Sequence, residues 1–167
     1  GYTTTNIAVY HKGSIRHSGI IPIGSKSITN DIAVMLQIGL EESEKIKVKY
    51  ASALASMSSS ELNISISNIG DDKERSVSEK EISEYVEARM QEIFQMVIQE
   101  ISRADVKDPL TYGIVLTGGG ASLKNLIPLL EKSLGVKARL GKPTKIDGVK
   151  DIADGPSYAT SMGLLLW

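Results

Sequence analysis

A continuous apolar run followed by three consecutive glycines constrains this chain more than any other segment. Residues 113–117 read Gly-Ile-Val-Leu-Thr, glycines occupy 118–120, and leucine or isoleucine then recurs at helical spacing over 123–134. An uninterrupted apolar run between glycines is typical of a strand buried on both faces of a sheet. A buried strand followed by an amphipathic helix is a unit of layered α/β architecture. The segment therefore predicts an α/β fold.

The glycine run also predicts a binding site for a nucleotide or another anion. A strand that passes through glycines into a helix presents unpaired N–H groups, and glycines let a ligand approach the backbone closely. A tight turn with positive φ is the structural alternative, and the third glycine favours a ligand. The dinucleotide fingerprint fails because Leu123 replaces its last glycine, and the P-loop pattern fails on spacing and because Pro143 replaces the magnesium-binding Ser or Thr.

Hydrophobic periodicity predicts strands and helices along the whole chain. Strict alternation of apolar and polar residues indicates a strand, and apolar residues three and four apart indicate a helix. Ser27 or Thr29 is predicted to cap the first helix, and Ser78 with Glu81 forms a capping box for the longest one. The predicted elements, in chain order, are a β-hairpin with strands over 3–9 and 14–23 and a turn at 11–13, helices ending at 36 and over 41–54, a strand over 62–67, a turn at 70–72, a helix over 79–103, strands over 113–117 and 136–140 on either side of a helix over 123–134 that ends at Gly135, and a final helix over 156–166.

Polar segments outside these elements are expected to be solvated. The serine-rich stretch 51–60 offers little material for packing and is predicted to be a loop or a frayed helix end. We expect the mixed charges at 71–75, and also His11 and His17, to face water rather than to bind a metal. The polar residues between 87 and 95 are expected to form the solvated face of the long helix, with partner binding as the alternative.

Length and composition exclude several classes of protein. The 167 residues correspond to one domain or two small lobes. Cysteine is absent, which excludes a disulfide scaffold, a cysteine nucleophile and thiolate metal sites. The net charge of −1 gives no basic surface for nucleic acid. No apolar run approaches the roughly 20 residues that span a bilayer, and the chain lacks an initiator methionine, so we expect a soluble piece of a longer protein.

Several segments, in this order along the chain, closely resemble the FtsA family, the actin-like ATPases of bacterial cell division. They spread over the whole sequence and match the second half of the family's actin-like core. The segments are Thr4-Thr5-Asn6-Ile7-Ala8-Val9, Ile21-Pro22-Ile23-Gly24, Ile28-Thr29-Asn30-Asp31-Ile32-Ala33, Glu41-Glu42-Ser43-Glu44-Lys45-Ile46-Lys47, the glycine-bounded run 113–120, and Tyr158-Ala159-Thr160-Ser161-Met162-Gly163-Leu164-Leu165.

The resemblance implies an actin-like (ribonuclease H-like) lobe with an inserted smaller α+β subdomain. Residues 1–40 and 107–167 would form the sheet-and-helix subdomain of the 2A type, which supplies half of a nucleotide cleft. Residues 41–106 would form the outer subdomain of the 2B type, a candidate partner-binding region. This division agrees with the hydrophobic pattern, in which strands alternate with helices at both ends and the middle is a separate strand-and-helix insert.

The resemblance also implies a set of nucleotide-binding residues. By position in the family they are Thr3, Thr4 and Thr5 beside the β- and γ-phosphates, Glu44 and Lys47 beside the ribose or base, and Gly118, Gly119 and Gly120 beside the adenosine. Glu44 and Lys47 lie three apart on one helix face and offer an acceptor and a cation. The implied cofactor of the full-length protein is ATP with magnesium, and whether this chain alone binds either is left open.

Departures from the family pattern bear on catalysis. The family's phosphate loop begins with an aspartate that helps to organise magnesium, and this chain begins after it. Tyr2 and Thr3 occupy positions where relatives have glycine, and Ser25 replaces a common second glycine after Gly24. Half of the phosphate cradle would be missing, so we predict that the chain alone does not hydrolyse ATP.

The resemblance implies partners as well. In the family, the C-terminal tail of the tubulin-like FtsZ docks on the outer subdomain, and Arg89 on the long helix would pair with a tail carboxylate. Self-association into filaments is implied, as is membrane attachment by a segment beyond Trp167. The protein would lie at the cytoplasmic face of the inner membrane at the division site. The alternatives are the actin-like component of type IV pilus assembly and, less favoured, a sugar-kinase-like phosphotransferase lobe.

Overall fold

The computed structural model describes residues 1–67, 74–143 and 155–166. Every strand and helix predicted above is present in these residues, and one further strand, β4, is added. The elements are β1 (Thr5–His11), β2 (Ser14–Ile21), α1 (Ser25–Leu36), α2 (Leu40–Tyr50), β3 (Asn63–Ser67), β4 (Glu74–Ser78), α3 (Glu79–Ser102), β5 (Ile114–Leu116), α4 (Leu126–Leu134), β6 (Ala138–Leu140) and α5 (Ala159–Leu165).

The strands of the described residues pair as three two-stranded sheets. β1 and β2 form an antiparallel hairpin, β3 and β4 form another, and β5 and β6 run parallel. The turn between β1 and β2 consists of Lys12 and Gly13, whose φ angles of 49° and 80° are both positive. Such a two-residue turn matches the right-handed twist of the strands that it joins. The predicted first hairpin is therefore confirmed.

Helix α3 contributes a long apolar stripe to the hydrophobic core. The Ser78 hydroxyl accepts a hydrogen bond from the Glu81 N–H at 3.1 Å, which confirms the predicted cap. The apolar stripe of the helix is buried against α1 and the β1–β2 hairpin, and it belongs to one continuous hydrophobic cluster. None of the helices in the described ranges combines the length and the apolar character that crossing a bilayer requires.

Strand β5 departs from its prediction. Ile114 and Leu116 pack against the core, but Val115 between them points to the other side and is 50% exposed. The strand is thus buried on one face rather than on two. The difference arises because an apolar run alone does not reveal how many layers cover a sheet.

The serine-rich segment after α2 also departs from its prediction. Helix α2 ends at Tyr50, and the residues from Ala51 to Ala55 are buried rather than frayed. Their small side chains allow the backbone to lie against α3, where the Ser83 hydroxyl accepts from the Ser52 N–H at 3.2 Å. The Glu87 carboxylate accepts from the Ala55 N–H at 2.8 Å, so this part of the long helix is not a solvated face.

Strand β4 is absent from the sequence prediction because its only apolar residue is Val77, which is buried opposite Ile64 of β3. The predicted turn at 70–72, and part of the charged segment 71–75, lie outside the described residues. Arg75, within β4, donates a hydrogen bond to the Leu36 carbonyl at the end of α1. A side chain expected to be solvated therefore ties the second hairpin to the first helix.

Helix α1 begins earlier than predicted, and neither Ser27 nor Thr29 caps it. Gly24 is the N-cap residue, and the first helical N–H groups, of Ser25 and Lys26, donate to backbone carbonyls of residues 1 and 2 at 3.1 and 2.8 Å. A β-carbon on Gly24 would lie 2.5 and 2.7 Å from those two oxygens, so only glycine allows this approach. Thr29 is thereby left inside the helix, with its hydroxyl free for another use.

Candidate functional site

The triple glycine does not open a long helix, contrary to the expectation for an anion site at a helix N-terminus. Residues Gly119–Ser122 form a short 3₁₀ turn, and α4 starts only at Leu126 after Asn125, which has a left-handed backbone. Gly118 has φ of 85° and donates its N–H to the Pro156 carbonyl at 2.8 Å. The turn thus requires glycine only at position 118 of the three, while Gly119 and Gly120 are exposed to solvent.

The backbone at Gly119 and Gly120 borders open space. A β-carbon on Gly120 would meet no atom within 4 Å, and one on Gly119 would meet only the Ser157 hydroxyl at 3.8 Å. The packing of the described chain therefore does not require glycine at these two positions. Their bare backbone is available to a ligand instead.

A buried polar cluster joins α1 and α2. The Lys47 ammonium donates to a carboxylate oxygen of Glu44 at 2.7 Å and to the Thr29 hydroxyl at 2.9 Å. The Thr29 hydroxyl lies 2.5 Å from the same Glu44 oxygen, to which it donates its proton. The Lys47 ammonium also reaches the Ser25 carbonyl at 3.3 Å and lies 5.7 Å from the centre of the Tyr2 ring. We call Glu44, Lys47 and Thr29 the Lys47 cluster.

The contacts within the Lys47 cluster favour the ionised form of the Glu44 carboxyl group. Only 9% of Lys47 is exposed, so the ammonium depends on the cluster for its hydrogen bonds. Desolvation acts to raise the pKa of Glu44, but the hydrogen bonds from Lys47 and Thr29, together with the charge of Lys47, hold that pKa below its ordinary value. The result is a carboxylate whose second oxygen has no partner within the cluster.

A cavity of about 440 Å³ opens beside this cluster. Of the eight residues predicted to bind nucleotide, five line it: Thr5, Glu44, Lys47, Gly119 and Gly120. The other three, Thr3, Thr4 and Gly118, are not among its lining residues in the described chain.

We call five of the lining residues the mouth of the cavity: Tyr2, Glu44, Lys47, Gly119 and Gly120. Thr5, also a lining residue, is held by its hydroxyl, which donates to the Ile23 carbonyl at 2.8 Å.

Sequence reasoning missed Tyr2 and Thr29 as members of this site. Thr29 lies between Ile28 and Ile32 on the buried stripe of α1, and a hydroxyl on an apolar stripe is a usable signal because it needs a buried partner. Tyr2 carries no comparable signal, because its place over Lys47 depends on how residues 1 and 2 dock on α1.

Arg89 lies away from this cavity, on the surface where α3 meets α1. Its guanidinium makes a two-pronged pair with Asp31, at 2.6 and 2.7 Å, and also binds Glu92. The hydrogen bonds from Arg89 to Asp31 raise the pKa of the guanidinium further, so it is charged at all working pH values. We call Arg89, Asp31 and Glu92 the Arg89 cluster.

No group of three or more metal-binding side chains occurs in residues 1–67, 74–143 and 155–166. His17 is not solvated as expected: its Nε2 lies 2.7 Å from a carboxylate oxygen of Glu100, which joins β2 to α3. A β-carbon on Gly19 would collide with that Glu100 side chain, so β2 and α3 meet closely there. The pair is part of the fold, at a distance in sequence that periodicity does not reveal.

Solved structures share the fold of this chain. MreB5 of Spiroplasma citri bound to ADP superposes with a TM-score of 0.76 at 18% identity, covering 98% of this chain and 50% of that one. The same protein bound to AMPPNP gives a TM-score of 0.78. The PilM–PilN type IV pilus biogenesis complex gives 0.69 at 18% identity, covering 99% of this chain and 43% of that one. The predicted actin-like fold is confirmed, and identities this low carry the fold alone.

Sequence comparison decides between the members of this fold. The chain is 37% identical over all its length to the cell division protein FtsA of Pseudomonas aeruginosa, 36% to that of Neisseria meningitidis and 33% to that of Escherichia coli K12. It spans 40 to 41% of the length of these relatives. The family model described as "Cell division protein FtsA" matches residues 1–163. The chain therefore belongs to the FtsA family of cell division proteins.

Proposed function

We propose that this chain supplies one half of a nucleotide site in a cell-division scaffold. The observation that carries the proposal is the convergence of the Lys47 cluster and the bare backbone of Gly119 and Gly120 on one cavity. A carboxylate with a spare oxygen suits the ribose hydroxyls, and an open glycine backbone lets a flat base lie close. The actin-like neighbour MreB5 has been solved with ADP and with AMPPNP.

The residues present fit an adenine nucleotide. Glu44 and Lys47 would hold the ribose, Gly119 and Gly120 would border the adenosine, and Thr5 would lie toward the phosphates. When bound, ATP supplies a reactive phosphoanhydride and draws the two lobes of an actin-like protein together. Magnesium would arrive with the phosphates, since this ion is usually held by phosphate oxygens, water and one or two carboxylates.

Calorimetric titration of ADP into the purified chain tests this proposal. Glu44→Gln should weaken ADP binding about tenfold, because a hydrogen bond to a charged group is lost. Glu41→Gln is the matched control, since Glu41 lies on the same helix, is exposed and pairs only with Lys45 across one turn. Equal weakening by the two variants, or no binding by the native chain, would contradict the proposal.

We propose further that the chain alone does not turn over ATP. Glu44 is the carboxylate among the described lining residues, and Lys47 and Thr29 already hold it in its charged form. Its other oxygen is assigned to the ribose, so no carboxylate among the described lining residues is left to activate water beside the phosphates. A phosphate-release assay should show no turnover above buffer, and sustained turnover would overturn this statement.

The subdomain division is also a proposal: residues 1–40 and 107–167 would form the inner subdomain, and 41–106 the outer one. The Lys47 cluster supports it, because Thr29 would then come from one subdomain and Glu44 and Lys47 from the other, as expected of a cleft residue set. Native-state hydrogen exchange should resolve two cooperative units that meet near residues 40 and 107. One single unit would contradict the division.

A second proposed activity is binding of the FtsZ C-terminal peptide around Arg89. Arg89 is 27% exposed on the surface of α3, and its present partners are carboxylates, which is the chemistry that an acidic peptide would supply. The peptide would have to compete with Asp31 and Glu92. Asp31→Asn should therefore strengthen peptide binding, and Arg89→Gln should weaken it.

Fluorescence anisotropy with a labelled FtsZ tail peptide measures both effects. Arg103→Gln is the matched control, because Arg103 is the C-cap residue of the same helix, is 71% exposed and pairs with Glu100. Unchanged affinity in Arg89→Gln would remove Arg89 from the peptide site.

We propose that the full-length protein self-associates into filaments and anchors the FtsZ ring at the cytoplasmic face of the inner membrane at the division site. Membership of the FtsA family supports this, and the membrane contact would be made by segments outside these 167 residues. Sedimentation of the full-length protein with nucleotide tests filament formation. A fluorescent fusion that stays diffuse during division would contradict the location.

A further inference from the structure

Part of the cavity lining is apolar and comes from α3, α4 and β5, and we call this part the apolar chamber. Its buried side chains, each 8% exposed or less, are Met90, Ile93, Phe94, Leu126 and Leu130. The partly buried residues Val97, Leu116 and Leu134 complete it.

The polar lining residues lie elsewhere in the cavity. Thr117, Ser122 and Lys124 are exposed, and the Lys124 ammonium is directed to the Lys49 carbonyl at 3.2 Å. Lys47, a buried charged lining residue on α2, already donates to Glu44 and Thr29, and the buried lining residues of α3, α4 and β5 in the described chain carry no charged or hydroxyl group.

The orientation of a bound nucleotide follows from its chemistry, and this step rests on the proposed nucleotide site. The ribose is attached at N9 of the purine, so the six-membered ring and its C6 substituent are the atoms farthest from the sugar. With the ribose held at Glu44 and Lys47 in the mouth, this far edge enters the chamber. Its hydrogen-bonding groups then lose water and meet side chains that offer none in return.

We propose that this chamber selects nucleotides by the apolar surface of the C6 substituent on the base. It takes adenine nucleotides that carry a hydrophobic group on N6 more tightly than it takes unmodified ones, because the group removes buried apolar surface from water. It disfavours guanine, whose far edge has more polar atoms to desolvate without a partner. Val97 is a partly buried lining residue of the chamber, and the size of its side chain sets the space that is left for the C6 substituent.

Calorimetric titration of the purified chain with ADP, N6-benzyl-ADP and GDP tests the chamber. We expect N6-benzyl-ADP to bind about tenfold more tightly than ADP, and GDP to bind about tenfold more weakly. Val97→Phe should fill the chamber and abolish the gain from the benzyl group, measured as the ratio of the N6-benzyl-ADP affinity to the ADP affinity of the same variant. Val34→Phe, an equally large change at an exposed position of α1 outside the cavity lining, is the matched control and should keep the gain.

The outcomes separate the two proposals. If ADP binds but the benzyl group gives no gain, or if Val97→Phe retains the gain, the chamber proposal is overturned and the nucleotide site stands. If no nucleotide binds, both proposals fall. Thermal melting shows whether Val97→Phe is folded. If it is not, Val97→Leu adds a smaller side chain to the chamber and should reduce part of the affinity gain from the benzyl group.

Discussion

Two charged clusters draw on helix α1, and they differ in how much water reaches the cation of each. In the Lys47 cluster the lysine is 9% exposed while the Glu44 carboxylate is 38% exposed, and the hydrogen bonds span 2.5 to 2.9 Å. The Arg89 cluster has similar distances but its arginine is 27% exposed. Both draw on the same helix, through Thr29 and Asp31. The difference in burial, rather than in distance, should decide how much each contributes to stability.

The comparison also separates two kinds of site. The Lys47 cluster is organised before a ligand arrives, because the buried Lys47 ammonium holds Glu44 and Thr29 in place by hydrogen bonds. A surface cluster that saturates a guanidinium with carboxylates can exchange those carboxylates for another acidic group. The first arrangement suits a small ligand in a cavity, and the second suits a peptide that competes on a surface.

The largest expected effect is that of Lys47→Met. The substitution keeps the length of the side chain but leaves Glu44 and Thr29 without their shared donor, and we expect the free energy of unfolding to fall by about 2 to 3 kcal/mol. Urea denaturation measures it. Lys45→Met on the exposed face of α2 is the control and should change that free energy by less than about 0.5 kcal/mol. Equal effects would show that burial does not distinguish the two lysines.

Next in size is Arg89→Met. It removes the two-pronged pair and leaves the Asp31 carboxylate, which is 25% exposed, without its main partner. We expect a loss of about 1 to 2 kcal/mol by urea denaturation, smaller than that for Lys47→Met because the lost guanidinium is 27% exposed whereas the Lys47 ammonium is buried. A larger loss than at Lys47 would reverse the ranking of the two clusters.

The contribution of the Lys47 cluster to the free energy of unfolding should depend on pH in the acid range. The pKa of Glu44 is lowered in the folded chain, so its stabilising contribution is fully present above the unfolded pKa of about 4.3 and is lost as the pH falls through the lower folded value. The difference in unfolding free energy between the native chain and Glu44→Gln should shrink over that range. The pKa of Glu41 is lowered by a hydrogen bond from Lys45 in full contact with water, so its contribution should vanish in 1 M salt while that of Glu44 persists.

The smallest effect is expected for Glu92→Gln. Glu92 lies one turn from Arg89, is 45% exposed and is the weaker of the two partners. Its removal should cost about 0.5 kcal/mol or less, and less again at high ionic strength. A cost that equals the Arg89→Met effect would mean that Asp31 contributes nothing, and this would contradict the assignment of the main pair.

The sequence is most informative where a local signal is complete in itself. Ser78 with Glu81 predicts the start of α3, Gly135 the end of α4, and Lys12-Gly13 the first turn, because caps and turns are decided by a few neighbouring residues. Strand β4 is not predicted because Val77 is its only apolar residue, and the burial of residues 51–55 is not predicted because it depends on contacts with α3 that lie 31 and 32 residues away. The same limit hides the contact of Arg89 with Asp31, 58 residues away.

The candidate site divides in the same way. Glu44 and Lys47 are predicted from the resemblance to the family, which their spacing on one helix face supports, and Gly119 and Gly120 also from the glycine run. The sequence predicts Ser27 or Thr29 as a helix cap, and Thr29 instead joins the Lys47 cluster because the carbonyls of residues 1 and 2 accept from the first turn of α1. The apolar chamber cannot be read from sequence, since its residues come from three separate elements.

Because residues 1 and 2 pack on the start of α1, hydrogen exchange at the Ser25 and Lys26 amides reports whether they stay there. The N–H groups of Ser25 and Lys26 are protected from solvent only while those two carbonyls stay in place, and Gly24 is what permits the approach. The rate of deuterium uptake at these two amides therefore measures how firmly residues 1 and 2, and with them the Tyr2 ring, are packed at the mouth of the cavity. A ligand that draws Tyr2 over the Lys47 cluster should slow exchange at these two positions, giving a local signal for binding that needs no change at the ligand itself.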